Sequence, residues 1–271
     1  MPQQPPFERR EDRRSLPRHL LDPFFALVRV GRQHAVSLHA AVGIFVLAGA
    51  FAAIVGTLLF AWIATHVRAG ATQAFDDGVL GYLATHRTPL IEQAMVEITF
   101  LGTGLVVVVM VAVAATFLWL SAHRYSAVLL LVATAGGIVL NNVLKLGFSR
   151  PRPHVFAWGT QAMSSSFPSG HAMSAAVVYG TVAYLAARLQ RRRLSRVLTM
   201  LIAALMISLI SFSRLYLGVH YPSDVAAGII VGLAWAGFCM AILEALQRIR
   251  GDAPDRRAAP NETGLVEARR L

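Results

Sequence analysis

The 271 residues are 56% hydrophobic and only 14% charged, with a formal net charge of +11. So apolar a chain carries more hydrophobic surface than a soluble domain of its length can bury, which excludes an ordinary soluble enzyme and places the protein in lipid. The positive charge is spread as a topology signal rather than as a nucleic-acid footprint, and no nucleic-acid partner is expected.

In chain order, Met1 to Arg14 is polar and predicted to be disordered. Next, "LLDPFFALVRVGRQHAV" sets Leu20, Leu21, Phe24, Phe25 and Val28 beside Arg29 and Arg32, a pattern suited to lying along the inner membrane interface. About forty residues precede the first long apolar run, so no cleavable signal peptide is expected. Ala40 to Thr65 and Ile98 to Ala122 carry no charge, and Ser126 to Leu144 is uncharged up to Lys145. Each can cross the ~30 Å hydrocarbon core, which takes roughly 20 apolar residues in a helix. Between the first two, "FDDGVLGYLATHRTPLIEQAMVE" has helical spacing and reads as one or two short helices on the outer face, with Asp76, Asp77, Glu92 and Glu97 as solvated or capping residues and substrate contact as the alternative.

Three further runs are shorter or interrupted: Ala172 to Ala187, Val197 to Phe212 continuing past Arg214 to Val219, and Val225 to Leu243. They bring the count to six spans. Four spans with buried re-entrant helices is the competing arrangement, but every backbone polar group in lipid must be satisfied, which favours complete helices. All six runs are rich in Ala, Gly and Ser, so they can pack closely. Cys239, the sole cysteine, falls in the last run and is expected to be a packing residue. The tail after Arg250 is predicted to be disordered.

Arginines set the orientation. Arg9, Arg10, Arg13, Arg14 and Arg18 precede the first span, Arg124 follows the second, Arg188, Arg191, Arg192, Arg193 and Arg196 follow the fourth, and Arg248, Arg250, Arg256 and Arg257 follow the sixth. With six spans these all fall on one side, which places both termini in the cytoplasm.

Three segments on the opposite side break that pattern. "KLGFSRPRPH" holds Lys145, Arg150 and Arg152, and Lys145 is the only lysine beside 24 arginines. A compact ammonium on a flexible stem is one reason for that exception, and chance is another. "SSSFPSGH" puts Ser169, Gly170 and His171 at the amino end of the fourth span, where free N–H groups can cradle a phosphate; taken alone it is equally an ordinary helix start. In "SRLYLGVHYPSD", Arg214 interrupts an apolar run and should face an interior polar site. A helix starting near Pro222 would let Asp224 reach back to His220, unless it is simply a capping aspartate. The topology brings the three segments to one face. A metal site could use His171, His220 and Asp224, but Lys145, Arg152 and Arg214 would repel a dication, whereas arginine forks match phosphate. Arg150 is expected to assist binding or to sit at the lipid headgroup level, His154 to be interfacial, and Asn141 and Asn142 to bond between helices.

The three segments resemble the signature of the type 2 phosphatidic acid phosphatase (PAP2) superfamily: KxxxxxxRP in Lys145 to Pro153, PSGH in Pro168 to His171, and SRxxxxxHxxxD in Ser213 to Asp224. The resemblance runs roughly from Phe75 to Leu243. It implies an all-α fold, a six-transmembrane-helix bundle with short extracytoplasmic helices between the first two spans. The chain then divides into an N-terminal cytoplasmic or interfacial segment (1–38), a six-span PAP2-like phosphatase domain (39–247) and a cytoplasmic tail (248–271). It further implies a metal-independent phosphatase without cofactors that acts on a lipid phosphate in the outer leaflet of the inner membrane. His220 would be the nucleophile, forming a phosphohistidine, with Asp224 orienting it and His171 protonating the leaving oxygen. Lys145, Arg152, Ser169, Gly170 and Arg214 would bind the phosphoryl oxygens. A lipid phosphotransferase could use the same residues; a phosphate or phospholipid transporter would need the cations but not the His220–Asp224 pair.

Overall fold

The computed structural model describes residues 22–160 and 164–249, with side chains from Val42 onward. The expected disorder of Met1 to Arg14 and of the tail, like Leu20 and Leu21 of the amphipathic segment, lies outside the described residues. Every regular element among the described residues is an α-helix: α1 (Asp22–Arg68), α2 (Gln73–Thr85), α3 (Pro89–Phe100), α4 (Gly104–Leu120), α5 (Arg124–Gly147), α6 (Gly170–Leu189), α7 (Arg193–Tyr216) and α8 (Pro222–Ile249). The chain divides into two units at Ala41 and Val42, and all that follows concerns the second unit.

Among the described residues, five helices are long and apolar enough to cross a membrane: the Val42–Arg68 part of α1, then α5, α6, α7 and α8. The remaining expected span, Ile98 to Ala122, is not a single straight helix. It is shared between α3 and α4, which meet at a 47° bend and make a sixth crossing only when counted together. Length explains the sharing, because the 17 residues of α4 rise only ~25 Å, short of the ~30 Å hydrocarbon core. The bend has a packing role. A Cβ at Gly102 would fall 2.6 Å from Ile210 Cγ2 and 3.1 Å from His171 Cδ2, so the elbow fits closely against α7 and the first turn of α6. The segment between the first two spans forms two helices, α2 and α3. Thr88 caps α3 by accepting from the Ile91 N–H, with Pro89 opening the helix.

At the centre of the bundle, α6 packs against α5, α7 and α8. Its buried positions include Ala172, Met173, Ala175, Ala176, Val177 and Val178, mostly small side chains that permit close helix approach. On α8 the partners are Gly228 and Gly232. A Cβ at Gly228 would lie 2.6 Å from the Ser169 carbonyl oxygen, and one at Gly232 would lie 2.7 Å from that of Met173. Backbone contact of this kind locks the start of α8 to the start of α6. The Ser169 N–H donates to the Asp224 carbonyl at 3.0 Å, so the second and third segments of the sequence are joined directly.

Candidate active site

The site forms where one end of α5 and α7 meets the first turns of α6 and α8. Lys145 lies in the last turn of α5, His171 in the first turn of α6, Arg214 in the last turn of α7 and Asp224 in the first turn of α8. The loop after α5 adds Arg150 and Arg152, and the short α7–α8 connection carries His220. All eight residues expected to form the site are therefore delivered to one end of the bundle.

His220 is 2% exposed, and its two ring nitrogens face different partners. Arg152 Nη1 lies 3.3 Å from Nε2. A guanidinium can only donate, so Nε2 accepts and the proton of the neutral ring resides on Nδ1. Nδ1 lies 3.6 Å from Asp224 Oδ2, in ion-pair range but beyond a hydrogen bond. α8 begins at Pro222 as expected, and the aspartate does reach back toward the imidazole. Burial, opposed by Asp224 and reinforced by Arg214 and Arg152, pushes the His220 pKa down to about 4. At neutral pH the ring is uncharged, with the Nε2 lone pair beside a cation.

Asp224, 0% exposed, is held from several directions. Its Oδ2 accepts from Ser166 Oγ at 2.5 Å and from the Tyr221 N–H at 2.9 Å. Its Oδ1 accepts from Arg150 Nη1 at 2.6 Å. The second arm of that guanidinium bonds Asp76 Oδ2 at 2.8 Å, and Asp76 in turn accepts from the backbone N–H and hydroxyl of Ser223 at 3.0 and 2.6 Å. Arg150 also lies over the Tyr221 ring, 4.1 Å from its centroid. Burial opposes the Arg150 charge, but Asp224 and Asp76 outweigh it and raise the pKa above the ordinary arginine value.

Of the two roles expected for Asp76, solvated or capping, the contacts show the second: it is 0% exposed and accepts from the Ser223 N–H in the first turn of α8. Arg150 bridges two buried carboxylates, Asp76 and Asp224. Of the other acidic residues, Asp77 is exposed and accepts from Gln73, while Glu92 pairs with Arg87 at 2.7 Å. His154 is exposed against Trp158, in keeping with an interfacial position. Asn142 is exposed, whereas the Asn141 amide abuts Gly170 at the start of α6.

The cations are held by neighbouring loop and helix groups. Lys145 Nζ donates to Ser164 Oγ at 2.8 Å, and Arg152 Nε donates to the Ser164 carbonyl at 2.9 Å. Arg152 Nη1 also donates to the Val219 carbonyl at 2.6 Å. Burial, partly offset by Asp224, lowers the Arg152 pKa from its ordinary value, though a guanidinium stays charged at neutral pH. Arg214, 3% exposed, donates through Nη1 to Thr99 Oγ1 at 2.7 Å. Among the described residues, Arg214 Nε, Ser169 Oγ and His220 Nδ1 are buried without hydrogen-bond partners. Buried polar atoms are normally satisfied, and phosphoryl oxygens would meet the first two. Arg214, His220, Lys145 and Arg152 are the charged or titratable groups near enough to act on His171.

Sequence reasoning missed Thr99, Ser164 and Ser166. The serines belong to the run "SSSFPSGH", where every hydroxyl looks alike in one dimension. Thr99 reaches Arg214 only because the α3–α4 elbow packs against α7, and nothing local to Thr99 signals that.

The chain shares this architecture with proteins of known fold and activity. The PAP2 superfamily pattern matches residues 126–248. Phosphatidylglycerophosphatase B of Bacillus subtilis is 30% identical over 194 residues, covering 71% of this chain and 95% of the relative. An undecaprenyl-diphosphatase of Sulfolobus acidocaldarius is 31% identical over 147 residues, 52% of this chain and 66% of that protein. Among solved structures, the transmembrane PAP2-type phosphatidylglycerolphosphate phosphatase of Bacillus subtilis superposes with a TM-score of 0.70 at 29% identity, covering 74% of this chain and 100% of that one. LpxE of Aquifex aeolicus, at 23% identity and a TM-score of 0.51 over 61% of this chain and 94% of its own, shares the fold. With apolar helices long enough to span a bilayer and all three signature segments at one end of them, the chain belongs to the PAP2 superfamily as a multi-pass membrane phosphatase.

Proposed function

We propose that the protein removes phosphate from a lipid phosphate monoester or pyrophosphate at the outer leaflet, through a phosphohistidine on His220. The observation that carries this is the hydrogen-bonding of the His220 ring. Arg152 occupies the Nε2 side, so the proton lies on Nδ1 facing Asp224 and the nucleophilic lone pair faces the cations. In the first step Nε2 bonds to phosphorus while the bond from phosphorus to the lipid oxygen breaks, and His171 gives its proton to that oxygen. In the second step a water oxygen bonds to phosphorus, the phosphorus–Nε2 bond breaks, and His171 takes the water's proton. Lys145, Arg152, Arg214, Ser169 and the Gly170 N–H hold the phosphoryl oxygens. Transfer of this kind depends mainly on in-line positioning and charge stabilisation. Two histidines on opposite sides of the phosphorus supply the attack and the proton.

The donor set argues for chemistry without a metal, because a cluster of cations disfavours a dication and an anion with several oxygens suits it. The arginine-rich connections support a reading in which the site faces the extracytoplasmic side of the inner membrane, residues 39–247 are the catalytic domain and residues 1–38 and 248–271 are cytoplasmic. A cysteine at Thr160 should then react with an impermeant thiol reagent on intact cells, and one at Gln190 should not; the reverse would overturn the topology.

Phosphatidylglycerol phosphate and undecaprenyl pyrophosphate lead the substrate panel, because the similar proteins are named for acting on them. The decisive experiment is phosphate release by purified protein from that panel with EDTA present. Release that disappears on chelation would sink the metal-free mechanism, and phosphate transport without release would replace the phosphatase with a transporter.

A further inference from the structure

Of the 12 residues of α3, only Thr99 is fully buried, at 6% exposure. A helix that packs on a neighbour ordinarily turns its apolar side chains inward. Met95 and Ile98 are partly buried in this way, yet Leu90, Ile91, Val96 and Phe100 are exposed, and the side chain set deepest carries a hydroxyl. That hydroxyl accepts from Arg214 Nη1 at 2.7 Å, across 115 positions of the chain.

α3 is fixed at both ends. The Thr88 N–H, just before its first turn, donates to Tyr216 Oη at 3.0 Å, and Tyr216 lies two residues beyond Arg214 on α7. After its last turn, the Leu101 carbonyl accepts from Tyr179 Oη of α6 at 3.1 Å. Gly102 follows, where a Cβ would crowd Ile210 and His171. Sliding or rotating α3 would break contacts with both α6 and α7, so more than its own hydrogen bond sets the place of the Thr99 hydroxyl.

Arg150 and Arg214 are held by partners of different charge. Arg150 is tied between the carboxylates of Asp76 and Asp224, which offset its charge. Among the described residues Arg214 makes no ion pair, and a neutral oxygen holds it. A hydroxyl fixes the direction of a guanidinium without cancelling its charge, which stays available to an anion. The Thr99 bond takes the Nη1 corner. Nε and Nη2 form the other edge, whose parallel N–H groups match two phosphoryl oxygens, and Nε is buried without a hydrogen-bond partner among the described residues.

We propose that Thr99 is a positioning residue for phosphate recognition: its hydroxyl orients the Arg214 guanidinium so that the Nε–Nη2 edge meets the phosphoryl group with its charge uncompensated. The proposal rests on the phosphoryl-binding role given to Arg214 above. Thr99 takes no part in bond making or breaking, and its effect passes through Arg214.

The test measures vanadate affinity of the purified full-length protein in detergent by isothermal titration, beside kcat/KM for phosphate release from a lipid phosphate. Thr99→Val keeps the shape and deletes the hydroxyl. Vanadate affinity and kcat/KM should each fall about tenfold, the weight of a hydrogen bond to a charged group. Thr99→Ser restores the oxygen and should recover most of both. Thr99→Asp should weaken vanadate further than Thr99→Val, because a carboxylate would hold the guanidinium equally firmly and cancel its charge, while thermal unfolding occurs no lower than in Thr99→Val. Thr103→Val removes another hydroxyl of the same elbow, one that donates to the Phe100 carbonyl at 2.7 Å, and should leave vanadate affinity unchanged. Undiminished vanadate affinity in Thr99→Val or Thr99→Asp would overturn the proposal, as would equal losses in Thr99→Ser and Thr99→Val. A protein that binds vanadate but releases phosphate from no substrate would refute the phosphatase reading alone, and the affinity series would still decide the role of Thr99. Absence of vanadate binding in the unmodified protein would overturn both.

Discussion

The α6–α8 pair carries a charged cluster at each end, one buried and the other half-buried, and the two are built differently. At the end nearer the carboxyl terminus of both helices, Tyr184 donates to Glu244, Arg188 pairs with Glu244 at 3.2 Å and donates to Gln247 at 2.6 Å. That cluster has one cation for one carboxylate. At the other end Lys145, Arg150, Arg152 and Arg214 outnumber Asp76 and Asp224, leaving an excess of positive charge. A cluster that only joins helices can balance its own charge. One that binds an anion must keep uncompensated donors, and the surrounding fold has to hold them in place. Here Arg150 and Asp76 perform that holding.

The sharpest break of the comparison is at the nucleophile. His220→Ala should lower turnover about a thousandfold or more, and abolish any acid-labile phosphoenzyme trapped by rapid quench. A phosphoenzyme persisting in that variant would assign the attack to another residue. The native ring titrates at about 4, and it attacks only when neutral. Log kcat/KM on a substrate that does not itself titrate there should therefore fall as pH drops through about 4, not through the ordinary histidine value of about 6.5.

The acid comes next in size. His171→Ala should slow hydrolysis of a lipid alkyl phosphate about a hundredfold or more, as loss of a general acid usually does. An aryl phosphate, whose phenolate leaves without help, should be affected far less. Equal losses on the two substrates would show that His171 is not the proton donor.

Asp76→Asn tests the holding function. The variant keeps the shape and removes the charge from a residue distant from the phosphorus. Turnover should fall about tenfold to a hundredfold through misplacement of Asp224 and His220, with KM little changed. Vanadate affinity should be retained, because the anion-binding cations are intact. A loss confined to thermal stability would reduce Asp76 to a structural tie.

Glu244→Gln, in the opposite cluster, should have the smallest effect on function. It weakens the bonds from Tyr184 and Arg188 and should cost about 1–2 kcal/mol of stability, measured by thermal unfolding in detergent, with kcat/KM unchanged. A marked loss of activity would show that the two ends are coupled through α6 and α8.

Much of this molecule was legible in one dimension because its governing physics is local. Apolar runs as long as a bilayer is thick become spanning helices wherever they fall, since no other backbone arrangement satisfies its own hydrogen bonds in lipid. The spacing of Lys145, Arg152, His171, Arg214, His220 and Asp224 could be read as one site because successive spans return the chain to the same face. Tertiary packing decided the remainder. The break at Gly102 turned one expected span into an elbow that delivers Thr99 to Arg214. Asp76, which the local pattern left as a solvated or capping residue like Asp77, became the anchor of Arg150 and of the first turn of α8. Its sequence neighbour Asp77 has the same charge and remains exposed, so the helical phase of α2 against α8 selects between them. Such features depend on contacts between residues far apart in the chain, and a one-dimensional pattern carries no record of which side chains those contacts bury.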